Sequence, residues 1–269
     1  MLRTRLIVII IMVPIISLFI AIGGWFYAVG LTVVLGLAAW EFWHMFTQGG
    51  YSPSAAVMVG GTVAICLARA GFGFLHSDEI LAVAILLAMA IHTIEYERGK
   101  DQSALDFCIS LGGLLYCGWL GAYLISLRNL PNGEWWMFLL IPAVSFADGG
   151  AYAVGKWIGK HKFSPRVSPK KTWEGYLGGI LFAIVLTPIL GSIWHSKAPS
   201  ITTWVGMAAG AAVSLITPLG DLGESMLKRQ FGFKDTSNLL PGHGGVLDRI
   251  DTWLWVGVIG YYLITWLKV

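Results

Sequence analysis

The chain has 269 residues, of which 56% are hydrophobic and only 12% are charged. A soluble domain carries about a quarter charged residues, so this composition excludes an ordinary soluble protein. The formal net charge of +3 is too small to indicate a nucleic-acid-binding protein, and no nucleic-acid partner is expected.

Nine apolar runs follow one another along the chain and predict an all-α, polytopic integral membrane protein with about nine transmembrane helices. Backbone groups inside a lipid bilayer must be hydrogen-bonded within the protein, and an α-helix satisfies them locally. The first run is predicted to be a retained span, because no small-residue cleavage site follows it. The predicted spans cover residues 4–22, 25–43, 55–74, 79–95, 104–127, 135–155, 174–194, 202–219 and 250–268.

The distribution of lysine and arginine predicts the orientation of these spans. Of the 18 basic residues, 14 fall on one side of the predicted spans, and the positive-inside rule makes that side cytoplasmic. The N-terminus is then expected inside and the C-terminus outside. The two long polar loops, about 156–173 and 220–249, face the cytoplasm in this arrangement, which predicts an inner-membrane protein with a cytoplasmic active site.

Polar residues are concentrated in the second half of the chain, which predicts two functional regions. Residues 1–100 contain little beyond spans and turns. They are expected to serve packing, a lipid path or a subunit contact such as that of a homodimer. Residues 101–269 are predicted to form a catalytic transmembrane region with the two cytoplasmic loops.

Residues 220–251 alternate acidic and basic side chains and contain a glycine-rich turn at 241–245. Asp221, Glu224 and Lys228 are three and four residues apart, which puts them on one face of a helix. Carboxylates near a membrane surface suit Mg²⁺, which prefers oxygen ligands and substrate phosphates. The alternative is a solvated loop held by ion pairs. In that case Asp248 and Asp251 would serve only to interact favourably with the dipole of the following helix.

A second basic cluster lies in residues 160–175, which read KHKFSPRVSPKKTWEG. The dipeptide Ser168-Pro169 followed by Lys170, Lys171 and Thr172 predicts a rigid turn that presents two cations and a hydroxyl group. The alternative is that this loop only sets the orientation of the neighbouring spans in the membrane or attracts anionic lipid headgroups.

Asp148 lies inside the apolar run IPAVSFADGGAYAVG. A carboxylate at the centre of a membrane helix costs about 2.5–3.5 kcal/mol. Asp148 is therefore expected to face a polar cavity or a metal ion. The alternative is a shallower position in which it pairs with Lys156.

Together these motifs resemble the phosphatidate cytidylyltransferase (CDP-diacylglycerol synthase) family. The resemblance is strong over residues 148–251, whereas the first hundred residues match only as apolar spans. The residues that carry it are Asp148, Ala151 and Tyr152, the run SPKKTWEG at 168–175, and Ser225, Lys228, Arg229, Lys234, Asp235, Pro241, Gly242, His243, Gly244, Gly245, Asp248, Arg249 and Asp251.

The resemblance implies a reaction at the bilayer in which CTP and phosphatidic acid give CDP-diacylglycerol and pyrophosphate. It also implies Mg²⁺ and a second cation, with Asp221 and Asp248 as metal ligands and Asp148 as the next candidate. The implied catalytic residues are Asp221, Asp248, Lys171, Lys228, Arg229 and His243. The implied substrate-binding residues are Ser168, Lys170, Thr172, Glu174, Glu224, Lys234, Asp235, Gly244, Gly245, Arg249 and Asp251.

Two other functions remain open at this point. A CTP-dependent lipid kinase, such as a polyprenol kinase, would also place an acidic and basic loop at the cytoplasmic surface, but it would release CDP and not pyrophosphate. A transporter would use Asp148 as a proton or cation site. Transporters often show paired repeats, whereas the polar residues here crowd into one half of the chain.

Overall fold

A computed structural model of the chain describes residues 2–237, 239 and 244–268. Among these residues, seven helices are long and apolar enough to cross a membrane, as judged by length and composition. Two shorter apolar helices, Ile10–Ile22 and Ala56–Phe72, complete the series. The predicted all-α, polytopic membrane architecture is therefore confirmed.

The helices of the first half follow the predicted spans closely. Two π-helical segments interrupt them: Ala56–Gly60 runs directly into the α-helix that begins at Gly61, and Leu114–Leu120 directly follows the α-helix that ends at Gly113. The α-helices are α1 (Leu2–Ile22), α2 (Gly24–Gln48), α3 (Gly61–Phe72), α4 (Ser77–Glu97), α5 (Ser103–Gly113) and α6 (Tyr123–Arg128).

The second half contains four long helices and one short hairpin. In the hairpin, strands β1 and β2 pair antiparallel, with Lys162 opposite Thr172 and Ser164 opposite Ser168. The elements are α7 (Gly133–Ile158), β1 (Lys162–Ser164), β2 (Ser168–Thr172), α8 (Trp173–Trp194), α9 (Thr203–Gln230) and α10 (Leu247–Leu267).

The structure corrects the extent of both predicted loops. Helix α9 continues to Gln230, so residues 220–230 of the predicted loop 220–249 are helical. The apolar pattern ends near residue 219 because the helix becomes polar there, while its backbone hydrogen bonds continue. The other predicted loop, 156–173, begins only after Ile158 and contains the hairpin.

The chain divides into two compact units. One comprises Met1–Asn129 and Gln230–Ile250, and the other comprises Leu130–Arg229 and Asp251–Val269. The expected functional roles of residues 1–100 and 101–269 stay predictions.

In the first unit, α2 presents one strongly buried face. Leu35, Ala38, Phe42 and Met45 lie on it at helical spacing, and each is at most 5% exposed. Glu41 lies on the same face and is also fully buried. A carboxylate in this position must be satisfied by hydrogen-bond donors from other segments.

In the second unit, glycines allow the helices to approach closely. A Cβ atom on Gly150 of α7 would lie 2.6 Å from the Cβ of Phe182 in α8. A Cβ atom on Gly210 of α9 would lie 2.5 Å from the carbonyl oxygen of Ala183 in α8. Small residues at helix contacts are the usual way in which membrane helices gain packing, because lipid supplies no hydrophobic drive between them.

Candidate active site

Helices α9 and α10 bring three carboxylates together in the second unit. Asp221, Glu224 and Asp251 each offer a ligand oxygen, and these oxygens lie within 4.8 Å of one another. Asp221 is half-buried, whereas Glu224 and Asp251 are buried. The two α9 residues lie on one helix face, as their spacing predicts, and Asp251 reaches them from the first turns of α10.

Gly220 permits this approach of α10 to α9. A Cβ atom at residue 220 would lie 2.9 Å from Cδ1 of Trp255 and 3.2 Å from Cα of Thr252. The missing side chain therefore leaves room for α10 next to the carboxylates.

Two lysines neutralise part of the negative charge. Lys228 Nζ lies 2.5 Å from Glu224 Oε2, and the two side chains are only 10% and 1% exposed. Lys171 Nζ, from strand β2, forms an ion pair with Asp221 Oδ2. The two motifs that the sequence analysis singled out are thus in direct contact through this ion pair.

Asp148 belongs to the same electrostatic group. It lies in α7, is exposed at the surface of the chain, and interacts electrostatically with Lys171 and Asp221. With all groups ionised, the four carboxylates face two ammonium groups. The cluster therefore carries a net negative formal charge, which favours a bound cation.

The hairpin that carries Lys171 is fixed to the start of α8. Thr172 Oγ1 accepts a hydrogen bond of 3.2 Å from the Gly175 amide, which caps the helix. Glu174 accepts hydrogen bonds from His161 Nδ1 at 2.5 Å and from the Lys160 amide at 3.1 Å. These bonds hold β1 and β2 in place and so position Lys171.

The remaining predicted residues of the hairpin lie on β2. Ser168 is half-buried and Lys170 is exposed. Glu174, which the resemblance implies to be substrate-binding, pairs with His161 in the structure. The substrate contacts of these residues stay predictions.

Asp248 lies in the first unit and binds two residues that precede α10, Thr236 and Gly245. Its Oδ2 accepts hydrogen bonds from the Thr236 amide at 2.9 Å, from Thr236 Oγ1 at 2.9 Å and from the Gly245 amide at 2.8 Å. Gly244 has a φ of +81°, which disfavours other residues, and a Cβ atom there would lie 2.7 Å from Asp248 Oδ2. The role of Asp248 as a metal ligand stays a prediction.

Several residues that the resemblance implies to be catalytic or substrate-binding are exposed. Lys234 and Asp235 line a cavity of about 570 Å³ together with Trp40 and His44 of α2. Arg229 and Arg249 are likewise exposed. Residue His243, which the resemblance implies to be catalytic, lies outside the described residues.

Sequence reasoning missed one residue of this region. Glu41 is fully buried and accepts hydrogen bonds from Thr236, Ser237, Val246 and Leu247. The sequence does indicate this residue, because Glu41 is a carboxylate inside the predicted span 25–43. The argument that singled out Asp148 applies to it equally.

The whole chain can be compared with known proteins. The model of a family described as the cytidylyltransferase family matches residues 3–267. The chain belongs to the cytidylyltransferase family. The match extends to the N-terminal spans, where the motifs alone offered only an apolar pattern.

Curated relatives of this family member are similar over most of its length. A phosphatidate cytidylyltransferase of Pseudomonas aeruginosa is 35% identical over 94% of this chain and 93% of its own. Proteins of the same name from Synechocystis and Bacillus subtilis are 32% and 41% identical, over 90% and 72% of this chain and 89% and 72% of their own. The resemblance to this family is therefore confirmed.

Proposed function

We propose that this protein transfers the cytidylyl group of CTP to phosphatidic acid, giving CDP-diacylglycerol and pyrophosphate. One observation carries the proposal: a membrane protein of the cytidylyltransferase family has carboxylates of Asp221, Glu224 and Asp251 within 4.8 Å of one another, beside two lysines. This arrangement suits a reaction between two polyanions, whose mutual repulsion must be offset by cations.

The carboxylate cluster fits a hard divalent cation such as Mg²⁺. All three side chains offer oxygen ligands, and Mg²⁺ binds through one or two carboxylates together with substrate phosphates. We assign Asp221, Glu224 and Asp251 as the residues that would hold it. When bound, the ion would neutralise charge on the phosphates. Asp148 and Asp248 as further ligands, and a second cation, are part of the proposal through the family resemblance.

The protein supplies position and charge, and no protein nucleophile is needed. A phosphate oxygen of phosphatidic acid forms the new bond to the α-phosphorus of CTP, while the bond from that phosphorus to the leaving pyrophosphate breaks. Lys171 and Lys228 are assigned to bind phosphate oxygens, with the exposed Arg229, Lys234 and Arg249 as further contacts. Holding both substrates in line lowers the entropic part of the barrier.

We propose that the site faces the cytoplasm from the inner membrane. The distribution of basic residues supports this orientation. A contact supports it as well: Glu41, near the C-terminal end of α2, bonds to Ser237 and Val246, and all three lie on the predicted cytoplasmic side. Residues 1–100 are proposed to serve packing, a lipid path or the subunit contact of a homodimer.

The decisive experiment incubates the purified protein in detergent with labelled CTP, phosphatidic acid and Mg²⁺. We expect a cytidine-bearing lipid and pyrophosphate, and loss of both products when EDTA is added. Release of CDP with a newly phosphorylated lipid would instead indicate a kinase. Solute flux across proteoliposomes without CTP turnover would indicate a transporter.

A further inference from the structure

We propose that Glu41 is a positioning residue for the proposed cytidylyl transfer, because its buried carboxylate holds two segments within the family motif, residues 236–237 and 246–247. The residues described on either side of positions 240–243, namely 236, 237, 239 and 244–247, will be called the clamped loop. The inference rests on the proposed function for its kinetic consequences, but its structural part can be tested separately.

The two oxygens of Glu41 each connect both ends of the clamped loop. Oε1 accepts hydrogen bonds from Ser237 Oγ at 2.6 Å and from the Val246 amide at 2.8 Å. Oε2 accepts hydrogen bonds from Thr236 Oγ1 at 3.0 Å and from the Leu247 amide at 2.7 Å. One side chain of α2 therefore joins residues 236 and 237 to residues 246 and 247.

The partners of Glu41 require an acceptor-only group. Each of its two oxygens faces a backbone amide, of Val246 or Leu247, that can only donate, and an ionised carboxylate has acceptor sites alone. An amide at this position would turn one NH₂ group toward at least one of these donors. Gly245 leaves room for the Glu41 carboxylate, because a Cβ atom at residue 245 would lie only 2.5 Å from Glu41 Oε2.

The clamped loop also carries groups with proposed roles in the reaction. Thr236 Oγ1 lies 3.0 Å from Glu41 Oε2 and 2.9 Å from Asp248 Oδ2, so one hydroxyl group lies between the two carboxylates and offers its single hydrogen to either of them. Lys234 and Asp235 immediately precede the clamped loop, and both line the cavity of about 570 Å³ with Trp40 and His44. Releasing the loop would therefore change the wall of this cavity and the setting of Asp248.

The test compares Glu41→Gln with Glu41→Asp and with the unaltered protein. We expect Glu41→Gln to raise the KM for CTP about tenfold or more and to lower kcat, because the substrate must reorder a released loop. Trypsin cleavage after Lys234 should become about tenfold faster, because cleavage follows the population of the open loop. Glu41→Asp keeps the charge and should recover part of both effects.

Glu95→Gln is the matched control, since it makes the same chemical change in the same unit. Glu95 bonds to His92 and Lys100 and has no contact with the clamped loop among its described bonds. Its KM for CTP and its cleavage after Lys234 should equal those of the unaltered protein.

If Glu41 contributed only to the stability of the folded protein, the result would be different. Loss of folded protein lowers the apparent kcat and leaves the KM for CTP unchanged, so an unchanged KM with unchanged cleavage after Lys234 would overturn the proposal. If Glu41→Gln does not fold, the double variant Thr236→Val with Ser237→Ala removes two of the four donors and decides by the same two measurements. Absence of transferase activity in the unaltered protein would refute the proposed function, whereas the cleavage result would still decide whether Glu41 holds the loop.

Discussion

Glu41 and Glu224 are both almost completely buried, and the protein satisfies them in two different ways. Glu41 accepts hydrogen bonds from four neutral groups, whereas Glu224 forms an ion pair with the ammonium group of Lys228 one helical turn away. Each solution offsets the desolvation of the carboxylate. Because the Lys228 ammonium is itself little exposed, removing one member of the pair leaves the charge of the other in a buried position without this partner.

Replacing Asp221 by asparagine tests the proposed cation site. Asp221→Asn keeps the volume of the side chain and removes a negative ligand, so we expect turnover to fall by about 100-fold while the protein stays folded. The measurement is formation of the cytidine lipid as a function of Mg²⁺ concentration. Asp101→Asn, at an exposed site between α4 and α5, is the control. Activity above roughly a tenth of the unaltered level would remove Asp221 from the metal site. The same threshold applies to Asp248→Asn.

Replacing Lys228 by methionine tests the buried ion pair. Lys228→Met leaves the Glu224 carboxylate without this ammonium partner and should lower the free energy of unfolding by about 3 kcal/mol. The double variant with Glu224→Gln should regain much of this loss, since neither charge of this ion pair is then present. Thermal unfolding in one detergent measures both effects. Equal stabilities of Lys228→Met and the unaltered protein would show that the pair contributes little.

At the scale of elements, the site depends on a helix that extends beyond its apolar part. Helix α9 runs from Thr203 to Gln230, so Asp221, Glu224 and Lys228 lie on its polar last turns. The hairpin of β1 and β2 adds Lys171 from the other loop. A regular helix and a short hairpin position charged groups more accurately than a flexible loop would.

Replacing Gly220 by alanine tests the spacing of α9 and α10. The added Cβ would lie 2.9 Å from Trp255 Cδ1 and 3.2 Å from the backbone of Thr252, so the helices must separate and spread Asp221 and Asp251. We expect a higher Mg²⁺ requirement and about tenfold lower turnover.

Gly223→Ala is the matched control for this experiment. It lies on the same helix, and a Cβ atom there would meet no atom within 4 Å. Alanine in a helix is favoured over glycine by about 1 kcal/mol, so this variant should be at least as stable as the unaltered protein, with normal turnover. If both glycine variants behaved alike, close packing at Gly220 would not be the cause.

At the scale of the whole molecule, the alternation of spans and basic segments predicts which groups share a side of the membrane. Arg166, in the hairpin turn, and Lys234 are both exposed and are expected on the cytoplasmic side. Lys197, between α8 and α9, is exposed and expected on the opposite side.

Protease treatment of sealed vesicles tests this arrangement. Trypsin should cleave after Arg166 and Lys234 in inside-out vesicles and should leave both bonds intact in right-side-out vesicles. Cleavage after Lys197 should show the reverse. Cleavage of Arg166 and Lys234 from opposite sides would contradict the predicted topology.

The sequence by itself determined the spans, because an apolar run of about 20 residues satisfies its own backbone within the segment. It also carried the family motif and indicated one helix face for Asp221, Glu224 and Lys228, since that spacing is local. The end of α9 was not predicted. The apolar pattern ends where the helix is expected to leave the bilayer, whereas the backbone hydrogen bonds of the helix continue to Gln230.

Only the tertiary structure decided which distant groups meet. Asp251 joins Asp221 and Glu224 through the packing of α10 on α9, and Lys171 reaches Asp221 from the hairpin. Glu41 bonds to Ser237 across 196 positions of sequence. Such contacts depend on how whole helices pack against one another, and no local period in the sequence contains that information.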